Sequence, residues 1–277
     1  MTNTHSPAPT HHHPHRDIHV RRKNRRRLIA LAATALVLAG GATVATAVGP
    51  DTLRETFRET VGSTPPLESK DDTAQTGHTD HAPAPDAPPV IHRVDTDDRV
   101  IFVTIDDGHY PSEQALDLVT EHEMPVSLFL NADPVRLHAS YFEEYIALGN
   151  TVHTHTLSHP DLTQHGVAEQ RAEICGMVDL LKERFGGSGA VGSLLRAPYG
   201  ASDGNTAEAA AACETTAVVH WSGTAEDGKV SLAHGNELVP GEIILTHFTD
   251  DLPANLQQIQ QLADEADFTI ARLEDYL

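Results

Sequence analysis

Cysteine occurs only twice in 277 residues, at Cys175 and Cys213, and tryptophan once, at Trp221. There is no C-x-x-C pair and no cysteine cluster, which excludes a thiolate-ligated zinc centre. Positive charge is scarce too, with 19 Lys+Arg against 40 Asp+Glu and a formal net charge of −21. Those cations are unevenly placed. Residues 1–27 hold seven of them against one acid, Asp17, and setting that +6 aside leaves −27 on the remainder. Nucleic-acid binding depends on Lys and Arg neutralising phosphates, so a body this acidic argues against a nucleic-acid partner. Hydrophobic residues at 39% and charged residues at 21% rule out wholesale disorder, collagen and a multi-span membrane protein.

One long apolar run is present. Leu28–Val48 carries no charge over 21 residues and directly follows RRKNRRR. A basic flank before an apolar stretch is either a membrane anchor or a secretory signal. The length suits an anchor, whereas Ala45-Thr46-Ala47 has the small residues of a cleavage site. Both readings put the bulk of the chain outside the cytoplasm, at the cell surface or secreted; the anchor, the favoured of the two, leaves residues 1–27 as a short basic cytoplasmic tail. Residues 49–98, rich in Pro, Asp, Thr and Ala, bury too little to offset ordering and read as a disordered linker. A folded module is expected over 99–277.

Within that module, short β-branched runs alternate with helical patterns. Strands are expected at Val100–Thr104, Pro125–Leu130, Thr151–Thr154, Ser193–Arg196, Thr216–Val219 and Ile243–Thr246. Helices are expected at 112–121, 134–148, 167–185, 205–213 and 252–265, from apolar spacing and start signals. This alternation implies an α/β fold with a parallel sheet, closed or open. Asp106, Asp107, His155, Arg196, Trp221 and His247 all fall at the C-terminal ends of strands, the end where barrel active sites are built.

These residue types suit metal-assisted hydrolysis. His155 and His159, four apart, share one face if the segment turns helically. Two imidazoles and one carboxylate leave positions for water and substrate. Adjacent aspartates at a strand end can divide the labour, one holding the cation and one taking a proton. Read alone, Asp-Gly here is also an ordinary turn. His153 projects with His155 in an extended strand, either as a further ligand or as a hydrogen-bonded strand histidine.

Thr104-Ile105-Asp106-Asp107-Gly108, His155-Thr156-x-x-His159-Pro160, Arg196-x-Pro198-Tyr199-Gly200 and Leu245-x-His247 occur in that order. They resemble the successive motifs of the polysaccharide deacetylase family, the NodB-homology domain of carbohydrate esterase family 4, over about residues 99–277. The resemblance implies a distorted (β/α) barrel, usually of seven strands. It implies that Asp107, His155 and His159 hold a divalent metal, zinc foremost, and that Asp106 is the general base, kept ionised by Arg196. It also implies a Tyr199 backbone N–H at the developing oxyanion, His247 as the acid, and Leu245 and Trp221 around the acetyl methyl. The family's fourth motif usually carries a second tryptophan. Here the text reads His220-Trp221-Ser222-Gly223-Thr224-Ala225-Glu226-Asp227, and the carboxylate that would tune His247 is reduced to two candidates, Glu226 and Asp227.

Expected activity is removal of acetyl groups from N-acetylated sugars of an extracellular polysaccharide, peptidoglycan or a chitin-like glycan, by a monomeric enzyme. The alternatives are an O-acetyl esterase on xylan-like glycans and a catalytically impaired glycan-binding module. Cys175 and Cys213 sit in separate helical patterns, and an exported protein permits either a disulfide between them or two buried thiols.

Overall fold

The computed structural model describes residues 87–186 and 190–277. The expected tail at 1–27, the apolar segment at 28–48 and the linker up to residue 86 lie outside the described residues. Among the described residues, no helix is long and apolar enough to cross a membrane.

The elements run β1 (Val90–Ile91), β2 (Val100–Asp107), α1 (Glu113–Glu121), β3 (Val126–Leu130), α2 (Ala132–Ala147), β4 (Thr151–Thr154), α3 (Val167–Phe185) and β5 (Val191–Leu195). They continue with α4 (Gly204–Ala212), β6 (Ala217–Val219), β7 (Gly223–Glu226), β8 (Lys229–Leu232), β9 (Glu242–His247), α5 (Leu252–Glu265) and β10 (Thr269–Ile270). Ordinary start signals set the helices. The Ser112 hydroxyl accepts from the Ala115 N–H at 3.2 Å ahead of α1, and Asp203 Oδ1 accepts from the Thr206 N–H at 2.9 Å ahead of α4.

The sheet order is β1-β6-β5-β4-β3-β2-β9-β7-β8, with β10 against β2. Every pairing is parallel except the β7–β8 hairpin. The path is a curled half-barrel with edges at β1 and β8, not a closed ring of seven strands. Strand periodicity divides the side chains. Ile101, Val103, Ile105, Leu128 and Ile244 point outward to the helices, whereas Phe102, Phe129, Leu194, Val219 and Ile243 fill the interior. Asp106, Arg196, Trp221 and His247 continue the inward rows at the C-terminal ends of their strands.

Order begins upstream of the expected module start at 99. The Val218 and His220 N–H groups donate to the Pro89 and Ile91 carbonyls at 2.9 and 2.7 Å, which adds β1 to the sheet. Beyond β1 the chain crosses to β9, where Val94 N–H donates to the Gly241 carbonyl at 2.9 Å and Arg93 bridges Glu242. Gly241 is required there: its φ is +83°, and a Cβ would lie 1.9 Å from the Val94 oxygen.

The other end of the interior is closed by Leu273–Tyr276. Here His153 Nε2 donates to Glu274 Oε1 at 2.7 Å, while its Nδ1 accepts from the Leu194 N–H at 3.2 Å. His153 is thus a hydrogen-bonded strand histidine. On the outer layer α3 and α4 pack together, and a Cys175–Cys213 disulfide joins them.

Candidate active site

The β2 strand delivers two carboxylates to different places. Asp106 stays on the inward row, 2% exposed. Asp107 adopts φ +77°, which breaks the alternation and turns its carboxylate toward the imidazoles. Its Oδ1 lies 3.5 Å from His155 Nε2 and 3.6 Å from His159 Nε2. The segment joining the two histidines is not helical, contrary to the four-residue spacing. Thr156 at φ +68° and His159 at φ +60° turn it back on itself instead. Thr156 Oγ1 accepts from the His159 N–H at 3.1 Å, and Glu173 on α3 accepts from both the N–H and the hydroxyl of Ser158 at 2.9 and 2.8 Å. The two rings meet edge to face, their centroids 4.7 Å apart.

Protonation states follow from partners. His155 Nδ1 donates to the Arg196 carbonyl oxygen at 2.7 Å, which leaves the Nε2 lone pair facing Asp107. Burial lowers the His155 pKa to about 3, so the ring is neutral at working pH. An imidazole lone pair and a carboxylate are both acceptors. Turned toward each other with no proton between them they repel, and a cation relieves this. Ligand atoms of Asp107, His155 and His159 all lie within 4.8 Å of one another. One carboxylate oxygen and two imidazole nitrogens are a donor set suited to zinc, so the residues fit the metal that the motifs imply.

Beside this triad lies a buried ion pair. Arg196, 0% exposed, donates from Nη1 to both Asp106 oxygens at 3.2 and 3.0 Å. Its Nη2 donates to Thr104 Oγ1 at 3.1 Å and its Nε to the Val219 carbonyl at 2.5 Å. Burial raises the Asp106 pKa, and the attraction of Arg196 and His247 offsets only part of that. Arg196 acts in the expected direction, favouring the ionised form, but desolvation is the larger effect, and the raised pKa makes Asp106 a stronger proton acceptor.

The remaining expected residues converge on the same rim. His247 pairs in register with Asp106, and Leu245, two residues earlier, pairs with Thr104. The Trp221 ring lies 5.3 Å from Arg196 Cζ, and thus packs on the guanidinium. Tyr199, at φ +60° in a short turn, holds its ring 72% exposed with an edge contact to His159 at 4.7 Å. Neither Glu226 nor Asp227 hydrogen-bonds to His247. Glu226 pairs with Lys229 in the β7–β8 hairpin, and the Asp227 N–H donates to Asp251 Oδ2 at 2.6 Å.

Thr104, which opens the first motif, serves as the acceptor for Arg196. Two contributors lie outside the motifs: Phe129, whose ring centroid is 4.6 Å from Arg196 Cζ, and Glu173 on α3. Both are long-range contacts that no local pattern announces.

A profile of the polysaccharide deacetylase family matches residues 93–218. An uncharacterised protein of Streptomyces coelicolor is 35% identical over 196 residues, covering 69% of this chain and 78% of that protein. A chitooligosaccharide deacetylase of a Bradyrhizobium species is 28% identical over 183 residues, covering 63% of this chain and 81% of the relative. Among solved structures, a family 4 carbohydrate esterase from Bacillus anthracis superposes with a TM-score of 0.57 at 23% identity, covering 68% of this chain and 86% of that one. With the four motifs brought to one rim and these likenesses beside them, the chain belongs to the polysaccharide deacetylase family.

Proposed function

We propose that this chain is a metal-dependent hydrolase that removes acetyl groups from N-acetylated sugars of an extracellular polysaccharide, either peptidoglycan or a chitin-like glycan. The observation that carries this reading is the Asp106–Arg196 pair set beside the Asp107, His155 and His159 cluster, with His247 in register with Asp106. A family relative named as a chitooligosaccharide deacetylase supports the substrate class.

Zinc, held by Asp107, His155 and His159, would acidify water and polarise the acetyl carbonyl. Asp106 takes a proton from the attacking water, and Arg196 keeps that carboxylate aimed through its two-oxygen contact. As the new C–O bond forms, the Tyr199 backbone N–H donates to the oxygen that gains negative charge. His247 gives a proton to the departing nitrogen as the C–N bond breaks, so acetate and a free amine leave. Leu245 and Trp221 wall the space for the acetyl methyl. Residues 28–48 export the chain and place this chemistry outside the cytoplasm.

Acetate release by the full chain from chitooligosaccharides, peptidoglycan and acetyl-xylan, with and without chelator, tests the proposal. Chelator-sensitive release from the N-acetylated substrates is expected. Release from acetyl-xylan alone would transfer the assignment to ester hydrolysis, and no release from any of them would leave a binding module.

A further inference from the structure

Asn131, directly after β3 and 3% exposed, stands between the two chain segments that carry the candidate ligands. Its backbone N–H donates to the Asp107 carbonyl at 3.2 Å. Its side-chain Nδ2 donates to the carbonyls of His155 at 2.6 Å and Thr156 at 3.2 Å. Flanking residues add to the seam: the His155 N–H donates to the Leu130 carbonyl at 3.0 Å and the Ala132 N–H to the Leu157 carbonyl at 3.1 Å. Two of the three carbonyls that Asn131 holds belong to Asp107 and Thr156, residues at positive φ. Those are the turns that swing Asp107 away from its strand row and fold His159 back onto His155. Asn131 Oδ1 accepts no hydrogen bond from the described residues, so the two Nδ2 protons carry the side chain's contribution.

We propose that Asn131 is a positioning residue for the metal centre: it ties the Asp107 segment to the His155–His159 segment and so presets the ligand spacing before a cation arrives. It touches neither the cation nor the substrate in this role. The inference rests on the metal reading under Proposed function. Nothing in the four motifs requires it, since residue 131 lies in none of them.

Competition titration of the zinc-free chain against a chromophoric chelator tests this with Asn131→Ala and Asn131→Asp. The aspartate keeps the shape and loses both donors. Both variants are expected to bind zinc about 10–100-fold more weakly, the range for residues that orient ligands. At saturating zinc, the KM for a chitooligosaccharide should stay within about twofold of the parent, because the glycan contacts are untouched. Folded variants with zinc affinity within twofold of the parent would overturn the inference while leaving the metal reading intact. A parent chain that binds no zinc would overturn both. Should the variants fail to fold, NMR of the zinc-free parent decides: slow exchange of the Asn131 side-chain amide protons is expected, and exchange at the rate of a solvated amide would refute the preset geometry.

Discussion

The Arg196 guanidinium lies over the ring of Phe129, with Cζ 4.6 Å from the centroid. Phe129 in turn stacks on His153 at 5.1 Å, and His153 donates to Glu274. The orientation of the buried cation is thus set by a column of rings running through the interior to the opposite end. Phe129→Leu keeps the core apolar and removes the face under the guanidinium. It should destabilise the fold by about 1–3 kcal/mol and lower kcat about tenfold by letting Arg196 and Asp106 shift. Parallel thermal melts and steady-state kinetics check it. An unchanged kcat beside a lowered melting temperature would confine Phe129 to packing.

Asp106→Asn and His159→Ala separate the base from the ligands. The first should lower acetate release by about 10²–10⁴-fold while zinc stays near one per chain, because Asp107, His155 and His159 remain. The second should lose zinc along with activity. Metal analysis after dialysis, read beside the acetate assay, distinguishes them. Substantial turnover in Asp106→Asn, or full zinc in His159→Ala, would reassign the roles.

The zinc-free protein should lose stability as pH falls. Burial holds His155 at a pKa of about 3 and His220 at about 4, whereas in the unfolded chain both protonate near 6.5. Between those values the unfolded chain binds more protons, so the histidine contribution is complete above about pH 6.5 and is lost progressively toward pH 4. Hydrogen bonds that lower the pKa of Asp251, from Thr249 first, act in the same direction at more acidic pH. Asp106, whose pKa is raised by burial, acts in the opposite sense and offsets part of the loss. Melting temperatures in chelator from pH 8 to 4.5 measure the balance, each 1 kcal/mol moving the midpoint by about 2–4 °C for a domain of this size. A midpoint that rises on acidification would contradict the neutral, buried histidines.

The Cys175–Cys213 bond closes a 38-residue loop, for which chain entropy gives about 4 kcal/mol. Cys175→Ser with Cys213→Ser should therefore lower the melting temperature by several degrees. Zinc affinity should be unchanged, because the bridge joins the outer helices and bonds to no ligand segment. A loss of zinc binding in that pair would show that α3 transmits strain through Glu173.

Much of this was legible because strand periodicity and the motifs agree. Asp106, Arg196 and His247 each close an inward-facing row, so reading the rows also places the residues. The helices at 167–185 and 252–265 coincide with α3 and α5 because their apolar spacing and end signals are undiluted. The His155–His159 spacing does not reveal the turn, since the Thr156 and His159 N–H groups donate to the hydroxyls of Thr154 and Thr156, while Asn131 and Glu173 side chains hold the segment from outside. The β7–β8 hairpin was overlooked although Asp227-Gly228 is its turn, with φ +50° and +69° matching a type I′ geometry. The Asp106 pKa was unreadable, because the extent of burial is a property of the assembled fold.

The crossing segment at 89–94 bears on where a shortened form of the chain can begin. A fragment beginning at residue 99 would strip β1 from β6 and leave the latter's amide and carbonyl groups bare, and it would uncover Gly241 and Glu242. Naked strand borders of this kind invite other chains to add on. A shortened protein designed from the motifs alone would be prone to self-association, whereas one starting at 87 keeps its own sealing strand.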